Sequence, residues 1–217
     1  VTVIVDDLEQ GVIVRVVQGG IKGDKGDDGS ITDIDTDVYK IIPSDFDFTN
    51  IPIGYDNATW SIRNEHDLLT NTILIPENVT LNFKGGKFSN GTLTGENTKI
   101  EANLNYIFNS DLVLNGTWDV KEVFPKWFGL DNINDQIAIN KAIDFGNNIE
   151  FDSNHTYKTS GSIRLERFKI LNGNGSKIIS TSITNIFEGK DELISAVVHH
   201  EQCVIKDFDI TTDTAEV

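Results

Sequence analysis

Five carboxylates fall on or beside strand-like segments, Glu150, Asp152, Glu166, Asp207 and Asp209. Two carboxyl groups about 5–10 Å apart are what acid/base hydrolysis of a glycosidic bond requires. With 34 acidic residues in the chain, neighbouring carboxylates also arise by chance. A solvated strand face is their expected role, and no catalytic residue is assigned. Asp33, Asp35 and Asp37 alternate as calcium ligands can. An EF-hand loop, however, places glycine sixth and glutamate twelfth, and counting from Asp33 gives Val38 and Ser44. The four histidines show no ligand spacing, and His199-His200 points to opposite faces of a strand. Trp60, Trp118 and Trp127 could stack on sugars, but packing is the commoner use of large aromatic side chains. Cys203 is the only cysteine, so an intrachain disulfide is excluded and a buried place in a strand is expected. Neither a metal nor any other cofactor is implied.

The elements that must position these groups are bounded by composition. A chain of 217 residues with 38% hydrophobic content can fill the core of one or two domains. A formal charge of −16 repels nucleic acid and anionic membranes, so neither is an expected partner. No apolar run approaches the ~18 residues of a membrane span. Val1-Thr2-Val3-Ile4-Val5 lacks the basic flank and length of a signal peptide. The sequence begins at Val1 and contains no methionine, which leads us to expect a piece of a longer gene product, and stacked strands stopping at Val217 would leave an unpaired edge, so further strands or a cap are expected after it.

Residues 1–18 hold two β-rich runs around an acidic stretch, either an ordinary hairpin or an arm that anchors the chain to a larger assembly. Gly20, Gly23, Gly26 and Gly29 then recur every third residue. A collagen triple helix demands that period, because only glycine fits where three chains meet at the axis. The run is short and lacks proline, so a flexible linker is the other reading, and a triple helix here needs trimeric neighbours to hold it. Residues 32–70 are acidic and turn-rich, a linker or neck, or a solvated strand edge. From residue 71 short strands alternate with turns at Gly85-Gly86, Asn90-Gly91 and Asn115-Gly116. They suit stacked rungs, or equally a sandwich of hairpins. Residues 135–145 predict the one helix, with Asn134 or Asp135 as its cap, Ile139, Ala142 and Ile143 on its apolar face, and Gly146 after it. Strand texture then resumes, and near Lys206-Asp207 the alternation changes phase, as it does where a strand turns a corner.

Phe128-Gly129, the acidic loop Asp131 to Asp135, the helix to Phe145, Glu150-Phe151, His155-Thr156-Tyr157 and Gly173-Asn174-Gly175 follow in order. This order resembles the opening of the pectate-lyase-like β-helix of many phage tailspikes. Leu130-Asp131-Asn132 stands where that pattern has a Gly-rich turn, and Asp152 to His155 where it has Pro-Xaa-Gly. The stretch from Ile75-Pro76 through Lys84-Gly85-Gly86 to Gly116-Thr117-Trp118 resembles a module in tail proteins of Bacteroidetes phages, crAss-like phages among them.

The expectation is an all-β homotrimer. It comprises an N-terminal β arm (1–18), a collagen-like Gly-Xaa-Yaa stalk (19–31), a neck (32–70), a short-strand β module (71–126), and a capping α-helix opening a right-handed parallel β-helix (127–217). The resemblance implies a virion tail fibre or tailspike. Other virion proteins, of tail or capsid, would hold the arm, and a more distal part would meet a host glycan or receptor. A polysaccharide depolymerase with its active site downstream, and a bacterial surface adhesin, are the alternatives.

Overall fold

The computed structural model describes residues 38–165, 168–181, 187–189 and 204–212. The arm, the stalk glycines Gly20, Gly23, Gly26 and Gly29, and also Glu166, His199, His200 and Cys203 lie outside them. Eight strands come first: β1 Tyr39–Ile42, β2 Thr59–Ile62, β3 Glu65–Asp67, β4 Thr72–Leu74, β5 Thr80–Phe83, β6 Lys87–Ser89, β7 Gly91–Glu101 and β8 Leu112–Asp119. Helix α1, Gln136–Phe145, follows. Then come β9 Asn148–Glu150, β10 Thr156–Thr159, β11 Ile163–Leu165, β12 Ile170–Ser180, β13 Phe187–Gly189 and β14 Val204–Thr212. The described chain is thus mostly β with one α-helix, as expected, and all of its strand pairs are parallel. The hairpin sandwich left open by the turn spacing is excluded for these residues.

Parallel partners cannot be joined by a tight turn, so each needs a long return path. Between β2 and its partner β5 that path is itself structured, as β3 and β4. The chain therefore comes back to one sheet in steps of 20, 21 and 19 residues, with Tyr39 opposite Thr59, Thr59 opposite Thr80, and Thr80 opposite Lys99. Three flanks result in the first half. One is β1, β2, β5 and the end of β7; the second is β3 and β6; the third is β4, the start of β7, and β8. Residues 38–70, expected as a neck, supply β1 to β3 and carry core residues Ile42, Trp60, Ile62 and Leu68.

Period-two alternation sends one side of every flank inward. Trp60 and Leu81, His66 and Phe88, and Ile73 and Leu93 are register partners and all are buried. A line of rings runs through this interior. Phe48 meets Phe88 at 5.3 Å, Phe88 meets Phe83 at 6.0 Å, Phe83 meets Phe108 at 5.6 Å and Phe108 meets Phe128 at 5.8 Å. Phe145 of α1 closes the line against Phe128 at 5.9 Å.

The corners use asparagine. Asn57, Asn78 and Asn97 take φ of 50°, 58° and 52°, a left-handed conformation that asparagine tolerates better than most residues. Their amides stack: Asn78 Nδ2 donates to Asn57 Oδ1 (2.9 Å), and Asn97 Nδ2 to Asn78 Oδ1 (2.6 Å). Asn115-Gly116, expected as a turn, instead lies inside β8. Gly116 has φ +83° and sits opposite Gly95, so close that a side chain on it would strike the Gly95 carbonyl. Gly173-Asn174-Gly175 likewise lies within β12, where the register with β14 shifts. Opposite that shift Asp207 has φ +59°, which is the corner expected at Lys206-Asp207.

Helix α1 joins the two halves. Ile139, Ala142 and Ile143 are fully buried in the same core as the strands. Lys141 Nζ donates to the Leu112 carbonyl of β8 (3.1 Å). On the other side Gln136 Nε2 donates to Ser162 O (2.8 Å), and the Arg164 N–H donates to Asn140 Oδ1 (2.8 Å). The helix stops at Gly146, whose backbone lies against Val123 with no room for a side chain.

Candidate functional site

The most heavily bonded carboxylate is one that sequence reasoning regarded only as a helix cap. Asp135 stands at the N-cap of α1, yet its side chain makes no cap bond to the helix. It turns inward and is fully buried. Oδ1 accepts the N–H groups of Asp131 (3.1 Å) and Asn132 (3.2 Å), while Oδ2 accepts the Lys158 N–H (3.1 Å) and faces His155 Nε2 at 3.2 Å. The acidic loop, the start of the helix and β10 are thereby tied to one side chain. His155 also packs edge-on against Tyr157 at 4.6 Å. Burial pushes the Tyr157 hydroxyl pKa far above its ordinary value, and its oxygen accepts the Asp152 N–H (2.9 Å). Every one of these contacts is within the chain and joins the loop, the helix start and β10, which makes the cluster a structural node.

The carboxylates singled out from sequence have local partners. Glu150 accepts from Asn172 Nδ2 (2.9 Å) and Asn174 Nδ2 (2.8 Å). Asp152 accepts the Asn154 N–H (3.0 Å) and Lys126 Nζ (3.1 Å). The Asn154 N–H, aided by Lys126, holds the Asp152 carboxyl below its usual range, the opposite of what a general acid needs. Asp207 and Asp209 are exposed, and Asp209 lies opposite Lys177. Among the described residues, no three or more His, Cys, Asp or Glu side chains are grouped to hold a metal ion.

Two of the tryptophans are core residues with satisfied indoles. Trp60 donates to Tyr55 O (2.9 Å) and Trp127 to Asn103 O (3.0 Å). Trp118 differs. It is half-buried beside Phe145 at 5.4 Å, and both rings line a cleft of about 340 Å³ between β8 and α1. Val113, Lys141 and Asp144 complete its rim. Burial lowers the Lys141 ammonium pKa, against the raising influence of Asp111 and Asp144. The ammonium is already committed to the Leu112 carbonyl, so the cleft holds no nucleophile and base pair. The spacing of Lys141 and Asp144 on α1 was the only sequence signal for it, and solvated helix faces carry the same spacing. The cleft can receive an apolar group, but it has no arrangement for bond-making chemistry. Compared with protein-family models, with curated proteins and with solved structures, this chain matches none.

Proposed function

We propose that this chain is a structural component of a bacteriophage tail fibre or tailspike, in which three copies form a right-handed parallel β-helix behind a collagen-like stalk at residues 19–31. The observation that carries the reading is one-directional stacking: all described strand pairs are parallel, the chain returns every 20 or so residues, and Ile139, Ala142 and Ile143 of α1 close over the apolar interior. A rod of that kind bears load along its length, since each coil is bonded to the one before and after it. The glycine period upstream supplies a reason for three chains. In this role residues 1–18 bind other virion proteins, tail or capsid, and a more distal part of the fibre meets a host glycan or receptor.

Light scattering on the intact chain tests the assembly, with a mass of about three times 24.1 kDa expected. Immunogold labelling of purified phage particles tests the location. A monomer, or particles without label, would overturn the reading. Release of new reducing ends from host capsule would move it to the depolymerase, and label on bacterial surfaces to the adhesin.

A further inference from the structure

Three identical chains of charge −16 each repel one another, and the repulsion is greatest where they meet. A side chain that projects toward a three-fold axis faces its own two copies, so a single carboxylate there becomes three carboxylates in one place. The flank that turns to the axis should therefore be the one without ionisable groups.

The three flanks of the first half differ sharply on this point. On the flank of β1, β2, β5 and the end of β7, the outward positions of β1, β2 and β5 are Tyr39, Ile41, Thr59, Ser61, Thr80 and Asn82, and charge enters beside them at Lys99 and Glu101, with Asp119 at the end of β8 continuing the row. On the flank of β3 and β6 they are Glu65, Asp67, Lys87 and Ser89. On the third flank the outward rows are Thr72, Thr92 and Val113, then Leu74, Thr94 and Asn115. None of these six titrates. Two are aliphatic and open to solvent, Leu74 at 59% and Val113 at 50% exposure, although their strands bury Ile73 and Leu112 on the other side. Asp111, Lys141 and Asp144 stand at the rim, beside Val113, where Asp111 Oδ1 accepts the Asn90 N–H and Lys141 bonds the Leu112 carbonyl.

We infer that the flank of β4, β7 and β8 is the face by which this chain packs on second and third copies of itself, with Leu74 and Val113 at the contact. The inference rests on the three-chain reading above and specifies which surface serves it. Threonine and asparagine beside the two aliphatic side chains give hydroxyls and an amide that can pair across the contact without charge.

Cysteine cross-linking of the full chain tests this in a Cys203→Ser background. A disulfide forms only where Cα atoms approach to about 4.4–6.8 Å. Leu74→Cys and Val113→Cys are made on the inferred face, and Thr80→Cys, which points outward from β5, on the charged one. Each position is at the surface, and far-UV circular dichroism verifies folding. Under mild oxidation at least one of the first two should give covalent pairs at least about tenfold more abundant than Thr80→Cys gives. With three thiols around an axis, two of every three chains can pair. A trimer that cross-links at neither Leu74→Cys nor Val113→Cys, or equally well at Thr80→Cys, overturns the assignment of the face and leaves three chains standing. A monomeric parent protein overturns both.

Discussion

Replacing Asp135 by alanine removes the acceptor for four donors at once. The side chain has no solvent exposure, so the N–H groups of Asp131, Asn132 and Lys158 and the His155 ring lose their partner in a dry place. A buried donor left unpaired costs about 1–3 kcal/mol. Water entering the vacated volume recovers part of that, so the sum settles near 3–5 kcal/mol, a large share of the 5–15 kcal/mol typical of a whole domain. Asp135→Asn keeps the shape and one acceptor oxygen but turns an amide NH₂ toward the second pair of donors, and about 2 kcal/mol is expected. Urea unfolding followed by circular dichroism gives the free energies, with an unchanged slope showing that stability alone has moved. Amide exchange supplies the local readout, since Asp131, Asn132 and Lys158 should lose protection more than residues of β5. An alanine variant within about 1 kcal/mol of the parent, with those amides still protected, would refute the argument that this carboxylate is the node of the junction.

Gly116→Ala places a side chain against the Gly95 carbonyl at φ +83°, and should cost about 1–3 kcal/mol from backbone strain, seen as a lower melting temperature. His66 is buried between Phe48 and Phe88 with Nε2 unpaired, and burial holds its pKa below the ordinary value of about 6.5. The unfolded chain therefore takes up a proton first, so this contribution is complete above about pH 6.5 and is lost as pH falls from there through the folded pKa. With Glu65 and Asp67 unchanged beside it, His66→Leu should show a shallower loss between roughly pH 7 and 5, and parallel profiles would contradict this. If three chains wind together at residues 19–31 as proposed, Gly26→Val should make trypsin cut faster at Lys22 and Lys25, whereas equal cutting in both proteins would reduce the glycine period to a linker.

The helix was legible to within a residue, because its apolar positions at helical spacing lie between a polar cap and Gly146, and strand texture after it was legible from alternation. The direction of pairing came from elsewhere: the resemblance, a capping helix followed by rungs, led us to expect parallel strands after the helix, and those pairs are parallel. Alternation states which residues face inward and is silent on whether the neighbouring strand runs up or down. The turn expected at Asn115-Gly116 misled for a physical reason that Gly173-Asn174-Gly175 shares. Asn115-Gly116 and Gly173-Asn174-Gly175 have turn composition because the chain does bend there, but the bend lies within strands β8 and β12, whose pairing continues across it with a register shift. Composition registers the backbone angle and cannot tell a corner within a strand from the end of one. The acidity of residues 32–70 left a linker and a strand edge both open. Glu65 and Asp67 face outward while His66 between them is buried, so the charge that looked like a linker is the solvent side of a strand.

The asparagines at the corners show how the sequence nonetheless specifies one stacking register. Asn57, Asn78 and Asn97 each need a left-handed turn, and each is placed to bond the one before it only when the intervening coil has the right number of residues. A coil one residue longer would move the amide out of reach and also send every side chain of the next strand to the opposite face. The two requirements therefore reinforce one another: the inward row of Trp60, Leu81 and Ile100 sets the phase of the strands, and the ladder sets the length of the path between them. That agreement is what allows strands of three or four residues, too short to hold a register alone, to stack in a single way.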